Sequence, residues 1–279
     1  MENAVTPQRA LRAEIEKVTV IGGYGRSGEK EQVDQIDLEM GKIVSIVGPT
    51  GSGKTELIND IERFAYENTP SRRKVLINGS VAPEEIRYDP SRNPIALITQ
   101  HTNFLSDLPV KKFLEMHAEI RQGSGAESIV DQTLGFANQL TGEPIILDSA
   151  MTELSGGQTR ALLIADAVVI GNSPIILLDE IENAGIHRTR ALELLKEYRK
   201  IFIFVTHDPR IALLSDFRIV MRNGAMQKVI TRHEREKPVA DELRKMDDLL
   251  SEYRTKIRAG EELEEEELKQ RLRALGYIS

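Results

Sequence analysis

The chain contains no cysteine, which excludes disulfides and thiolate metal ligands. Long apolar runs are missing too: the longest are about six residues, far below the roughly 20 needed to cross a bilayer. Any membrane role therefore runs through a partner. Met1 to Lys17 is polar and charged, without the apolar centre of a secretory leader. Charge of one sign does not dominate either. The net charge is −7 with acids and bases mixed throughout, so there is no basic footprint for nucleic acid, which is not an expected partner. These absences together predict a cytoplasmic protein. At 279 residues, with no internal repeat, the chain has room for one sizeable core plus an appendage.

What is present begins with Gly48, Pro49, Thr50, Gly51, Ser52, Gly53, Lys54 and Thr55, a full match to G-x-x-x-x-G-K-[ST] directly after the apolar run Ile43 to Val47. Strand, loop and helix follow in the order a phosphate-binding loop requires. Glycines at 48, 51 and 53 let successive backbone N–H groups turn toward phosphate oxygens, aided by the N-terminus of a helix starting near Lys54. Lys54 is expected to reach the β- and γ-phosphates, and Thr55 offers a hydroxyl to Mg²⁺. A glycine-rich turn before an ordinary helix is the plain alternative; the preceding strand and the fit at every fixed position weigh against it.

A second cluster, Gly23 to Gly28, matches G-x-G-x-x-G, the dinucleotide fingerprint. That pattern requires a helix to open at its end. Glu29 to Asp37 lacks helical spacing and reads as a charged turn leading into a strand over Val33 to Met40, so the fingerprint is rejected. Tyr24, some thirty residues before Lys54, can either stack on an adenine ring or simply occupy a hairpin turn.

Further along, Pro174 to Leu178 is aliphatic without alternation, as in a strand buried on both faces of a parallel sheet, and it ends in Asp179 and Glu180. Asp179 is placed to hold Mg²⁺ through water, and Glu180 to orient or deprotonate an attacking water. Gln100 after Pro94 to Thr99, and His207 after Ile201 to Thr206, likewise follow apolar segments and emerge at the same sheet edge if those segments are parallel strands. Between them lies Leu154, Ser155, Gly156, Gly157, Gln158. Ser155 can cap a helix over Gln158 to Val169, with Leu162, Leu163, Ala165 and Ala167 facing inward.

Taken in order, the phosphate loop at 48 to 55, Gln100, the stretch at 154 to 158, the acidic strand end at 175 to 180 and His207 resemble the ATP-binding cassette (ABC) ATPases over roughly residues 14 to 232. The resemblance implies an α/β fold: a P-loop NTPase with a mixed sheet core, an antiparallel β subdomain and a helical signature subdomain at about 101 to 165. It implies ATP and Mg²⁺ as ligands, with Gln100 sensing metal and water and His207 contacting the γ-phosphate. It also implies that the signature, Ser155, Gly156, Gly157 and Gln158, closes over ATP held by a second cassette, packed head to tail. With one loop and one signature per chain, a homodimer or a pair with a related cassette is expected. The chain departs from the family after Glu180. Where most cassettes continue Pro-Thr-Ser-Ala-Leu-Asp, this one has Ile181, Glu182, Asn183, Ala184, Gly185 and Ile186, and Thr159 rather than a basic residue follows the signature.

Helical spacing places one helix over Val110 to Arg121 and another over Ser128 to Leu140, separated by a Gly-Ser-Gly turn at 123 to 125. In the family this subdomain receives the coupling helices of a membrane partner; Phe104 and Leu105 either line that groove or pack the subdomain's own core. From 233 to 279 the sequence is densely charged. Leu243, Met246, Leu250, Tyr253 and Ile257 form one apolar stripe, Ala259 and Gly260 break it, and Leu268, Leu272 and Leu275 form a second. This predicts a C-terminal helical hairpin folded on itself or on the cassette, or else a dimer or partner contact. Two functions fit: the ATPase subunit of a transporter whose membrane-spanning subunits are separate chains, or a non-transport cassette that remodels a soluble client such as a metalloenzyme. Long coiled coils between the halves, as in DNA-repair cassettes, are missing.

Overall fold

The computed structural model describes residues 15–89, 92–99, 101–104, 106–122, 126–180 and 188–278. Its chain divides into two units, Met1–Thr231 and Arg232–Ser279.

In the first unit, β1 (Lys17–Ile21), β2 (Gln35–Glu39), β4 (Lys74–Ile77) and β5 (Ser80–Val81) form an antiparallel sheet in the order β2-β1-β4-β5. The other sheet has six strands, β3 (Ile43–Val47), β6 (Ile95–Ile98), β7 (Ile175–Asp179), β8 (Ile201–Val205), β9 (Phe217–Arg222) and β10 (Ala225–Thr231), ordered β10-β9-β3-β8-β7-β6. Within it β9, β3, β8, β7 and β6 run parallel, and only β10 is antiparallel to its neighbour. The carboxyl ends of β3, β7 and β8, which precede the phosphate loop, Glu180 and His207, therefore lie at one edge in adjacent positions.

Alternation along β7 and β8 explains why those runs are apolar throughout. Side chains on successive residues point to opposite faces. Ile175, Leu177, Ile201, Ile203 and Val205 join one core with Val18, Leu38, Leu57 and Ile61, while Ile176, Leu178, Phe202 and Phe204 join a second with Leu114, Leu162 and Leu195. Helix α1 (Lys54–Glu62) belongs to the first core; α3 (Val110–Gln122), α4 (Ala126–Leu140), α5 (Gly156–Val168), α6 (Arg188–Lys196) and α7 (Pro209–Leu214) belong to the second. A short helix, α2 (Glu84–Tyr88), buries Ile86.

The predicted helices at 110 and 128 appear as α3 and α4, the latter beginning two residues earlier, and the predicted strand over Val33 to Met40 is confined to β2. Phe104 meets Phe113 edge-on at 5.0 Å between centroids and packs on the second core, so the packing reading accounts for it. Leu105 and the turn at 123 to 125 lie outside the described residues.

In the second unit, α8 (Lys237–Arg258) and α9 (Glu265–Ala274) pair antiparallel. Lys256 binds Glu267, Arg271 binds Glu252, and the Tyr277 hydroxyl donates to Glu242 Oε2 at 2.9 Å. Met246, Leu250 and Ile257 of the α8 stripe remain exposed.

Candidate functional site

Glycine opens the phosphate loop because no other residue fits. Gly53 caps α1 at φ 96°, and a Cβ there would lie 2.6 Å from Gly224 Cα; at Gly48, φ 155°, it would lie 2.4 Å from the Met221 carbonyl oxygen. The loop is held from outside as well. Gly224 N–H donates to the Ser52 carbonyl at 2.8 Å, and Arg26 Nη1 donates to the Gly51 carbonyl at 2.9 Å. Arg26 was not among the predicted site residues, because nothing in its local pattern marks a contact with residue 51.

Lys54, 7% exposed, extends Nζ over the loop and donates to the carbonyl oxygens of Gly48 (2.9 Å) and Pro49 (3.2 Å). The same Nζ lies 3.2 Å from His207 Nε2, which in turn is 3.6 Å from Glu180 Oε1. Lys54, His207 and Glu180 thus converge from β3, β8 and β7. Glu180 reaches this position through a left-handed backbone, φ 50°, while its N–H continues the ladder to the Val205 carbonyl at 3.0 Å. A non-glycine residue in that region carries strain of order 1–2 kcal/mol. It turns the chain off the strand end and sets the carboxylate beside His207. The next residue, Asp208, caps α7 by accepting the Arg210 N–H at 2.8 Å.

Asp179, half-buried, pairs with Val205 at the end of β7, and Thr55 is exposed at the start of α1. The Ser52 hydroxyl is buried within the loop without a hydrogen-bond partner. A donor in a turn that leaves no room for a Cβ at Gly48 or Gly53 fits a phosphate oxygen. Among the described residues no group of three or more His, Asp or Glu could hold a metal alone. The hard-oxygen pair Thr55 and Asp179 suits Mg²⁺, which binds through one or two protein groups plus phosphates and water. Gln100 lies outside the described residues, as do residues 181 to 186.

The Gly23 to Gly28 segment is a hairpin turn, with Gly25 N–H donating to Glu29 O at 2.8 Å and a bridge between Tyr24 and Lys30. No helix opens there, in keeping with rejection of the dinucleotide fingerprint. Tyr24 is 44% exposed and, with Lys30, Arg72 and Lys74, lines a cavity of about 510 Å³. Behind this turn Arg73 is fully buried between Glu31 and Asp60. Burial alone would lower the pKa of the guanidinium; hydrogen bonds and charge from Glu31, then Asp60, outweigh it, and the net direction is upward. Neither carboxylate nor Arg73 was anticipated from the sequence.

The signature begins one helix, α5, with Ser155 as its cap. Ser155 Oγ accepts the Gln158 N–H at 3.3 Å, Gln158 Oε1 accepts the Ser155 N–H at 2.9 Å, and Gln158 Nε2 donates to Pro144 O at 3.1 Å. This reciprocal box starts the helix at Gly156, two residues before the expected Gln158. Ser155 and Gly156 are exposed, and Leu162 and Ala165 are wholly buried.

A model of the family described as "ABC transporter" matches residues 32–183. An uncharacterised ABC transporter ATP-binding protein of Methanocaldococcus jannaschii is 51% identical over 255 residues, covering 91% of this chain and 97% of its own. The sulfate/thiosulfate import ATP-binding protein of Synechocystis is 30% identical over 74% of this chain, which spans only 58% of that relative. Among solved structures, a dimeric ATP-binding cassette in a post-hydrolysis state with ADP and Pi shares the fold at TM-score 0.58 and 23% identity, over 77% of this chain and 99% of that one.

Proposed function

The chain belongs to the ABC transporter family of ATP-binding cassettes, and from that membership we propose that it hydrolyses ATP between two copies of the cassette and uses the closing and opening of that pair to drive a transporter. The observation that carries the site assignment is the convergence of Lys54, His207 and Glu180 at the carboxyl edge of β3, β8 and β7. Lys54 and the loop N–H groups other than at Pro49 bind the β- and γ-phosphates, Ser52 donates its hydroxyl, and Tyr24 stacks on the adenine. Mg²⁺, when bound, neutralises phosphate charge; Thr55, Asp179 and Gln100 are the groups that would hold it. Glu180 takes a proton from the attacking water as its oxygen bonds to the γ-phosphorus and the bond to the β-phosphate oxygen breaks, leaving ADP and phosphate. His207, beside Glu180 and Lys54, contacts the γ-phosphate. Ser155, Gly156, Gly157 and Gln158 of one copy cap the nucleotide held by the other, a helix N-terminus facing an anion.

The partners are then a second cassette and membrane-spanning subunits carried by separate chains, with the cassette at the cytoplasmic face. No helix among the described residues is long and apolar enough to cross a membrane. Glu180→Gln tests the assignment. ATP should bind as in the wild type, turnover should fall at least about a hundredfold, and the ATP-bound dimer should accumulate in size-exclusion chromatography. Normal phosphate release from that variant would remove Glu180 from the role of base.

A further inference from the structure

Among the described residues Arg73 is the largest wholly buried side chain, and each of its contacts reaches a different segment of the nucleotide site. Its Nε and Nη2 fork onto the Glu31 carboxylate at 3.1 and 2.7 Å, Nη1 donates to Asp60 Oδ2 at 2.8 Å, and Nη2 donates to the Gly224 carbonyl at 2.7 Å. Glu31 also accepts the N–H groups of Gly23 (2.8 Å) and Met226, and Asp60 accepts the Ser71 hydroxyl at 2.7 Å. Gly23 precedes Tyr24. Asp60 lies on α1, the helix that Lys54 and Thr55 begin. Gly224 touches Gly53 and binds the Ser52 carbonyl.

A buried ion cluster of this kind contributes little net stability, because desolvating three charges offsets their attraction. What the planar, bidentate guanidinium does supply is fixed geometry. We infer that Arg73 is a positioning residue for the nucleotide: with Glu31 and Asp60 it sets the spacing between the base platform at Tyr24 and the phosphate loop at 48 to 55, so that base and triphosphate are engaged together. The inference rests on the assignment of Tyr24 and residues 48 to 55 to one ATP.

The experiment compares ATP with inorganic tripolyphosphate, which carries the phosphates without the base. Binding of each is measured by calorimetry for wild type, Arg73→Lys and Tyr24→Ala. Lysine retains the charge and cannot span the fork. In the wild type ATP should bind more tightly than tripolyphosphate. In Arg73→Lys that preference should shrink by about tenfold, with tripolyphosphate affinity within twofold of wild type and KM for ATP raised more than kcat falls. The Arg73→Lys, Tyr24→Ala double variant should lose no more preference than Tyr24→Ala alone. Equal weakening of both ligands in a folded Arg73→Lys protein, or an unchanged preference, overturns the inference. Equal affinities in the wild type would instead remove the base platform itself, a separate failure. If Arg73→Lys does not fold, Glu31→Gln, which keeps the acceptor for Gly23 and breaks the charged fork, carries the same comparison with the same outcomes.

Discussion

The phosphate loop at 48 to 55 and the signature turn at 154 to 158 both bring glycines and a hydroxyl to the N-terminus of a helix, and they are held in different ways. The loop is braced by distant segments: Gly224 fills the space beside Gly53, Arg26 bonds the Gly51 carbonyl, and His207 meets Lys54. The signature is held mainly by its own neighbours, Ser155 and Gln158 capping each other and Arg160 bonding the Gly156 carbonyl at 3.1 Å, with one bond from Gln158 to the Pro144 carbonyl. A turn surrounded by its own chain can bind a ligand unaided. One that faces outward on a self-contained cap is suited to meet a ligand carried by another molecule. Substitutions at the two turns should therefore separate what a single chain does from what a pair does.

The largest expected effect is at the braced turn. Lys54→Ala removes the cation that spans the loop and should reduce phosphate release by about 10²–10³-fold or more, the scale of losing one main charge-stabilising donor. Nucleotide binding by the isolated chain should weaken in parallel, measured by calorimetry. Next comes Gly53→Ala. Alanine at φ 96° costs about 1–2 kcal/mol before any contact, and its Cβ would stand 2.6 Å from the Gly224 backbone. Both unfolding temperature and ATP binding should drop in the single chain.

The same substitution at Gly156 should behave differently, which is the sharpest test of the contrast. A Cβ there meets only the end of the flexible Arg160 side chain at 3.2 Å. Gly156→Ala should leave stability within about 0.5 kcal/mol and single-chain ATP affinity unchanged. In the proposed pair it adds bulk on the side assigned to the partner's phosphate, and steady-state turnover should fall roughly 10- to 100-fold. Loss of ATP affinity in the monomer would show that the signature serves its own chain.

The difference between the two turns was only partly legible in the sequence. The glycine-lysine-threonine spacing and the unbroken apolar runs in β7 and β8 identify a buried parallel sheet, because period-two side chains with two apolar faces admit little else. The serine cap before α5 was legible as well, being local, although reciprocal bonding through Gln158 starts that helix earlier than periodicity alone suggests. The bracing was not. Arg26, Asn223 and Gly51 are brought together by the β9–β10 turn, and Arg73, Glu31 and Asp60 where α1 shares a core with strands of both sheets; charged residues dispersed in sequence read as solvated surface until tertiary structure closes around them. Nor did sequence indicate the left-handed backbone of Glu180, since glutamate carries no preference for it.

The smallest effect separates the two duties of Ser155. Its hydroxyl accepts from Gln158 within the chain, and losing such a cap costs about 1 kcal/mol. For a domain of this size that is an unfolding temperature about 2–4 °C lower. Ser155→Ala should show this shift in the nucleotide-free monomer and should also turn over more slowly. Ser155→Asp resolves the ambiguity: aspartate caps as well as serine, so the melting temperature should return to the wild-type value. In the proposed pair its charge would face the partner's γ-phosphate, so turnover should remain low and the ATP-bound Glu180→Gln dimer should dissociate when the substitution is added. Recovery of turnover together with stability would assign Ser155 to folding alone and leave the glycines and the helix terminus to hold the partner's nucleotide.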